Sequence, residues 1–196
     1  HSTFSADGQT PLADMLDRAR ELGISYYGIA EHFDYDYLTD GILAEGKPVP
    51  MIDAAAYFSQ ARRLQTAYAP QMRVLAGGEF GYTANPAAHA LYARTIAQFS
   101  PDFVVNSVHT VNGKDAWFPE YFAGKTREKA YRAYLETVRE SLDAPYPYDI
   151  VAHIGYVARN APYPDNLLRY ADFPALFDDI LSAIVARGKI LEVNSS

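Results

Sequence analysis

The chain has no cysteine, which excludes disulfides, thiolate zinc sites and cysteine nucleophiles together and leaves the compartment open. No apolar run approaches the length that crosses a bilayer, and no signal-peptide pattern opens the chain, so cytoplasm is the default expectation. Positive charge is in short supply. Seventeen Lys and Arg face 24 Asp and Glu, for a net charge of -7 and a pI near 5.1. That balance argues against a nucleic-acid backbone as the main partner. Neither GxGxxG nor the GxxxxGK(S/T) phosphate loop occurs, nor the DxDx(T/V) pattern of an aspartyl-phosphate enzyme. An opening methionine is also missing: the chain starts at His1 and stops at EVNSS, where a strand should deliver its loop, so we read it as part of something longer.

What is present reads as one domain over residues 1–196, with 49% hydrophobic and 21% charged residues and no internal linker or repeat. Segment 11–22 places Leu12, Met15, Leu16 and Ala19 on one helical face, with Thr10 as N-cap, Pro11 at N1 and Gly23 as terminator. ISYYGIA follows as a buried strand. Residues 53–69 resume the helical period with Asp53 as cap, then MRVLAG is a strand. Helix 86–99 precedes DFVVNSV, helix 126–142 precedes YDIVAH, and FPALFDDILSAIVAR precedes KILEVN. Five helix–strand alternations imply parallel strands joined by right-handed crossovers.

Four of the five histidines fall where a strand gives way to a loop: His1 in HSTFSADG, His32 in AEHFD, His109 in NSVHTV and His153 in IVAHIGY. Glu79, in AGGEFGY, holds the same kind of place. Imidazole and carboxylate are ligands that zinc, iron and manganese accept. In an open sheet only loops near a switch point would converge, whereas in a barrel every strand end faces one mouth. Ligands on nearly every strand end therefore favour the barrel. Taken alone, any one histidine is more often a surface or satisfied core residue, and Asp7 could equally be a turn residue before Gly8. His89, inside helix 86–99, reads as an ordinary helix histidine, and Glu31 as a structural contact beside His32.

These motifs, in this order, resemble the PHP (polymerase and histidinol phosphatase) family of metal-dependent phosphoesterases. His1 to Asp7 is similar to the second half of the family's opening HxH motif and its serine-containing turn, Ala30-Glu31-His32 to its second motif, and Gly78-Glu79 to its bridging glutamate. Ser107-Val-His109 and Ala152-His153 look like the later ligand histidines, and Glu192-Val-Asn194 like the strand before the last motif. The resemblance implies a distorted (β/α) barrel of about seven strands, here missing its first strand and the closing Asp-x-His segment. It also implies two or three divalent ions (Zn, Mn or Fe), held by His1 with Glu79, by Glu79 with His109 and His153, and by Asp7 with His32. The stretch HIGYVARNAPYPD and the insert VNGKDAWFPEYFAGKT look like the histidinol-phosphate phosphatase branch.

On that reading the partner is a small phosphorylated substrate, with neither nucleic acid nor membrane expected and the oligomeric state open. Arg159, six residues beyond His153, is a phosphate clamp or a solvent-facing arginine. Lys114 and Trp117 are further substrate-binding candidates, and Tyr35 and Tyr82 could join Trp117 in walling a pocket. The expected chemistry is metal-assisted hydrolysis of a phosphomonoester, most simply L-histidinol phosphate. Action on nucleotides, sugar phosphates or nucleic-acid ends, or a non-catalytic scaffold, are the rival readings.

Overall fold

Alternation between the 3.6-residue and two-residue apolar periods carries through to the computed structural model, which describes residues 1–194. Helix α1 (Leu12–Glu21) leads to β1 (Tyr26–Phe33), and α2 (Tyr35–Asp40) follows. A hairpin of β2 (Leu43–Ala44) and β3 (Lys47–Pro48) then leads to α3 (Ala54–Tyr68), β4 (Arg73–Gly81), α4 (Pro86–Phe99) and β5 (Phe103–Ser107). A second hairpin, β6 (Thr110–Val111) with β7 (Lys114–Asp115), precedes α5 (Pro119–Phe122), α6 (Arg127–Ser141) and β8 (Ile150–Val151). Helix α7 (Pro174–Ala186) and β9 (Ile190–Leu191) complete the series.

The five principal strands form one parallel sheet in the order β1-β4-β5-β8-β9, which is also their order along the chain. Right-handed crossovers that always step the same way put their helices on one face and curl the sheet around the other, with no switch point. That is barrel winding. Five strands lie in this sheet among the described residues, against the roughly seven that the resemblance implies. The other four are two-residue segments closed by the Glu45-Gly46 and Asn112-Gly113 turns, all four residues at positive φ, so they pair locally as hairpins.

Local chemistry accounts for the helix starts. Asp53 accepts from Ala56 N at 2.9 Å, Asn85 from Ala87 N, and Thr126 from Lys129 N. The expected cap at Thr10 is displaced by one residue. Pro11 takes the cap position without a side-chain bond, because Thr10 is drawn into a bridge with Ser2 and its carbonyl accepts from Thr3 N. Helix α2 and both hairpins lie in stretches without apolar periodicity, and the pattern along the chain did not mark them.

The register sets the site. His32 is directly across from Glu79, and Gly81 from Ser107, so side chains at the carboxyl ends of neighbouring strands share a face. Close backbone approach is needed here: a Cβ at Gly77 would meet the Phe103 ring at 2.5 Å, and one at Gly81 would collide with the Asp36 carboxylate.

Sixteen tyrosines serve the core in an unusual way, since several helix tyrosines send their hydroxyls to strand carbonyls. Tyr57 donates to Gly77 O at 2.7 Å and Ile29 O at 3.2 Å, and Tyr92 to Gly81 O at 2.6 Å and Phe33 O at 2.9 Å. Tyr134 donates to Val108 O and His153 O, just past the ends of β5 and β8. Each ring fills apolar volume while its hydroxyl stays bonded. Tyr92→Phe keeps the ring and removes the tie, so it should destabilise the fold by about 1–2 kcal/mol. Thermal melts should show the midpoint falling by about 2–4 °C per kcal/mol; an unchanged midpoint would mean the ring alone matters.

Candidate metal centre

Glu79 sits at the centre of the strand-end cluster. It is buried at 7% exposure, and its two oxygens face different partners. Oε2 lies 2.9 Å from His1 Nε2. Oε1 lies 3.1 Å from both His109 Nε2 and His153 Nε2 and accepts from Ser107 Oγ at 2.6 Å. The four imidazoles form a chain, with ring centroids 4.0 Å apart for His1–His32 and 5.2 Å for both His32–His109 and His109–His153.

The N-terminal turn reaches this cluster because Glu31, fully buried, gathers it in. Glu31 accepts from Ser2 N at 3.0 and 3.1 Å and from Ser5 Oγ at 2.5 Å. The same Ser5 Oγ accepts from His32 N. The turn carrying His1 and the strand end carrying His32 are thus tied to one carboxylate. On the far side, Glu192, just past β9, accepts from His153 N at 2.7 Å.

Three groups have ligand atoms close enough to share an ion: His1 with His32 and Glu79, His32 with Asp34 and His109, and Glu79 with His109 and His153. Asp34 was not singled out in the sequence, although it stands only two residues beyond His32. Asp7 belongs to none of these three, but its carboxylate is 3.1 Å from His1 Nδ1 and 3.7 Å from His32 Nε2. The donor set fits a divalent cation. Several imidazole nitrogens converge on one buried carboxylate, and His153 Nδ1, His32 Nδ1 and Asp34 Oδ1 are buried without a hydrogen bond. The last two lie 3.2 Å apart without the alignment a hydrogen bond requires, so the oxygen and nitrogen remain available as ligands.

Electrostatics agree. Burial opposes charge on His1, but bonds to Asp7 and Glu79 outweigh it and lift its pKa to about 9. For His32, burial is again outweighed, by Asp34 and Asp7, and the value rises to about 11. His109 is raised by Glu79 against its burial. Burial would raise Glu79, yet His1, His109 and His153 hold it well below the carboxylate range. Asp7 is held low mainly by His1 and His32. Without a cation, protons take up the charge-balancing role.

These residues open into a cavity of about 730 Å³ that also includes Arg159, Trp117 and Asp115 in its walls. Arg159 stands at the end of the 3-10 turn Tyr156–Ala158 with its guanidinium 5.6 Å from the Tyr156 ring centre. Other sequence candidates lie elsewhere. Lys114 is absent from the cavity wall and its ammonium is 3.4 Å from Glu120 O, because the β6–β7 turn points it outward. Tyr35 and Tyr82 are also outside the wall: Tyr35 bonds Thr95 and Tyr82 bonds Glu140. Tyr37, Tyr156 and Phe118 supply the aromatic lining instead. His89, as its position in a helix suggested, is away from the cluster, with Nε2 2.6 Å from Thr83 O.

The chain is similar to known proteins in sequence and in fold. A histidinol-phosphatase of Lactococcus lactis is 26% identical over 200 residues, an alignment spanning all of this chain and 69% of that protein. The crystal structure of histidinol phosphate phosphatase from the same species, complexed with zinc, L-histidinol and phosphate, superposes with a TM-score of 0.88 at 26% identity. It matches 99% of this chain and 70% of its own. A solved structure from Listeria monocytogenes, 21% identical, shares the fold with a TM-score of 0.82 over all of this chain and 80% of its own. The parallel sheet is therefore the (β/α) sheet of that barrel type. The PHP domain family model matches residues 1–196, and with its histidines and glutamate gathered at the strand ends the chain belongs to the PHP domain family.

Proposed function

We propose that this protein is a metal-dependent phosphomonoester hydrolase acting on L-histidinol phosphate, releasing L-histidinol and phosphate. The observation that carries the reading is the Glu79 carboxylate, divided between His1 on one oxygen and His109 and His153 on the other, in the same cavity as Arg159. The Lactococcus lactis structure with zinc, L-histidinol and phosphate supports it. His1, His32, Asp34, Glu79, His109 and His153 would hold two or three divalent ions of zinc, manganese or iron, with Asp7 beside them. When bound, such ions supply the Lewis acidity that makes water a nucleophile near neutral pH and offset the phosphate charge.

The chain's own residues do the rest. Ser107 fixes the carboxylate of Glu79 so that its oxygens keep facing opposite sides. The fork of Arg159 binds the phosphoryl oxygens, whose charge grows toward the transition state. Tyr156, Trp117 and Phe118 shelter the organic group from water. We place the activity in the cytoplasm, in keeping with a biosynthetic role; no helix among the described residues is long and apolar enough to cross a membrane.

Phosphate release should be measured across histidinol phosphate, nucleotides, sugar phosphates and a simple aryl phosphate. A kcat/KM for histidinol phosphate no better than for the aryl ester would remove the substrate assignment. Arg159→Ala should lower kcat/KM by about a hundredfold, the scale of losing one preorganised donor, with metal content by elemental analysis unchanged. Loss of metal in this variant would show that Arg159 supports the cluster instead.

A further inference from the structure

One buried carboxylate in the cavity wall belongs to none of the three ligand groups. Asp115, 6% exposed, ends the short strand β7 inside the insert between β5 and α6. Three donors from three parts of the fold converge on it. Tyr37 OH, from α2, donates to Oδ2 in a short hydrogen bond. Tyr156 OH, from the turn after His153, donates to Oδ1 at 3.0 Å, and Trp117 N closes a local turn on the same oxygen at 2.8 Å. Burial and then Asp115 itself push both tyrosine hydroxyls far above their ordinary range, so they remain donors at any working pH.

The groups so held matter to the cavity. The Tyr156 ring lies 5.1 Å from that of His153 and 5.2 Å from that of His109. Trp117, the sole tryptophan, lies 6.1 Å from Tyr156. With the Asn160 amide oriented to satisfy both its atoms, Trp117 Nε1 donates to it at 3.2 Å, next to Arg159 in the chain. The insert is thus latched to the wall beside the metal cluster through Asp115, whose oxygens are already occupied by protein donors. A ligand atom would have to displace one of them.

We propose that Asp115 is a positioning residue that sets substrate selectivity, by latching Trp117 and Tyr156 into the wall against which the organic part of the phosphomonoester packs. The proposal rests on the phosphatase reading above, and the consequence is specific. Loosening the latch costs discrimination between organic groups and leaves the reaction at phosphorus intact. Asparagine retains an acceptor for Tyr156 OH and Trp117 N and offers its amide to Tyr37 OH, so it should preserve the latch, whereas alanine abolishes it.

The test uses the metal-loaded protein and three variants, Asp115→Asn, Asp115→Ala and Tyr37→Phe. Trp117 emission, free of interference from any other indole, should shift to the red and become more readily quenched by acrylamide in Asp115→Ala, and stay near wild type in Asp115→Asn. For histidinol phosphate, Asp115→Ala should lose about a hundredfold in kcat/KM, the scale of an ångström-sized misplacement, mainly through KM. For methyl phosphate, which cannot reach the wall, it should change less than about threefold, with metal content constant. Tyr37→Phe should show a smaller loss of the same pattern. An equal loss on both esters, or an asparagine variant as impaired as alanine, would overturn the positioning role. Unaltered Trp117 emission in Asp115→Ala would overturn the latch itself. Failure of the wild-type protein to prefer histidinol phosphate would strike the phosphatase reading, while the fluorescence result would still decide the latch.

Discussion

Glu79→Gln should lose bound metal and activity together. The amide matches the carboxylate in shape but brings no charge, and it presents one acceptor oxygen where Glu79 presents two. In the native arrangement Oε1 and Oε2 face different histidines, so neither orientation of a glutamine amide can serve both sides. Removing the charge also takes from His109 its main counter-ion and from His1 the second of its two, after Asp7. We expect elemental analysis of the purified variant to show the shared ions gone. Turnover should fall by about a thousandfold or more, since metal Lewis acidity supplies several kcal/mol of transition-state stabilisation. His89→Ala, which removes a contact to Thr83, is the control and should leave metal content and kcat at wild-type levels. A Glu79→Gln protein that keeps its full metal complement would end the bridging role.

Metal loading should also invert how stability responds to pH. In the metal-free protein, His1 and His32 titrate near 9 and 11 instead of 6.5. A raised pKa means the folded state binds the proton more tightly. The stability these residues contribute is therefore complete below pH 6.5, wanes as pH climbs through about 9, and then wanes further toward 11. Glu79 and Asp7 are shifted the other way, below 4.5 and 3.8. Their contribution is present above those values and disappears as pH falls. Chelated protein should accordingly be most stable between about pH 4.5 and 6.5.

Cations need neutral imidazoles, so loading must expel these protons. At pH 7.5 we expect about one proton released from each of His1 and His32, with apparent affinity rising about tenfold per pH unit for each proton displaced. Between pH 6.5 and 9 the melting midpoint should fall for chelated protein and rise for loaded protein. Indicator-dye proton counting and parallel melts measure both. No proton release on loading, or parallel melting curves, would show that these histidines are not ligands.

Much of this was legible along the chain because it is local. Helix α3 announces itself by apolar spacing and by Asp53 as its cap, α4 by Pro86 at its start, and α6 by its amphipathic pattern. Strand ends are marked where an apolar run meets a polar residue, which is how His32, Glu79, His109 and His153 stood out. Cysteine's absence confined any metal ligand to nitrogen and oxygen. Alternation and ligand spread pointed to barrel winding, and the strand order agrees.

Other features depend on partners remote in sequence. Asp34 differs from any acidic residue after a strand only in facing His32 and His109. Glu192 matters because β9 pairs with β8 and brings its carboxylate to His153 N. Lys114 and Asp115 are neighbours in the chain, yet the β6–β7 turn sends the lysine outward and buries the aspartate against Tyr37 and Tyr156. Periodicity and capping act over a few residues, so composition and spacing along the chain determined the elements and the type of ligand. Which polar side chains share a buried space is decided by packing across the sheet, where unpaired charge is costly and each carboxylate must find its donors, and only the tertiary structure settles that.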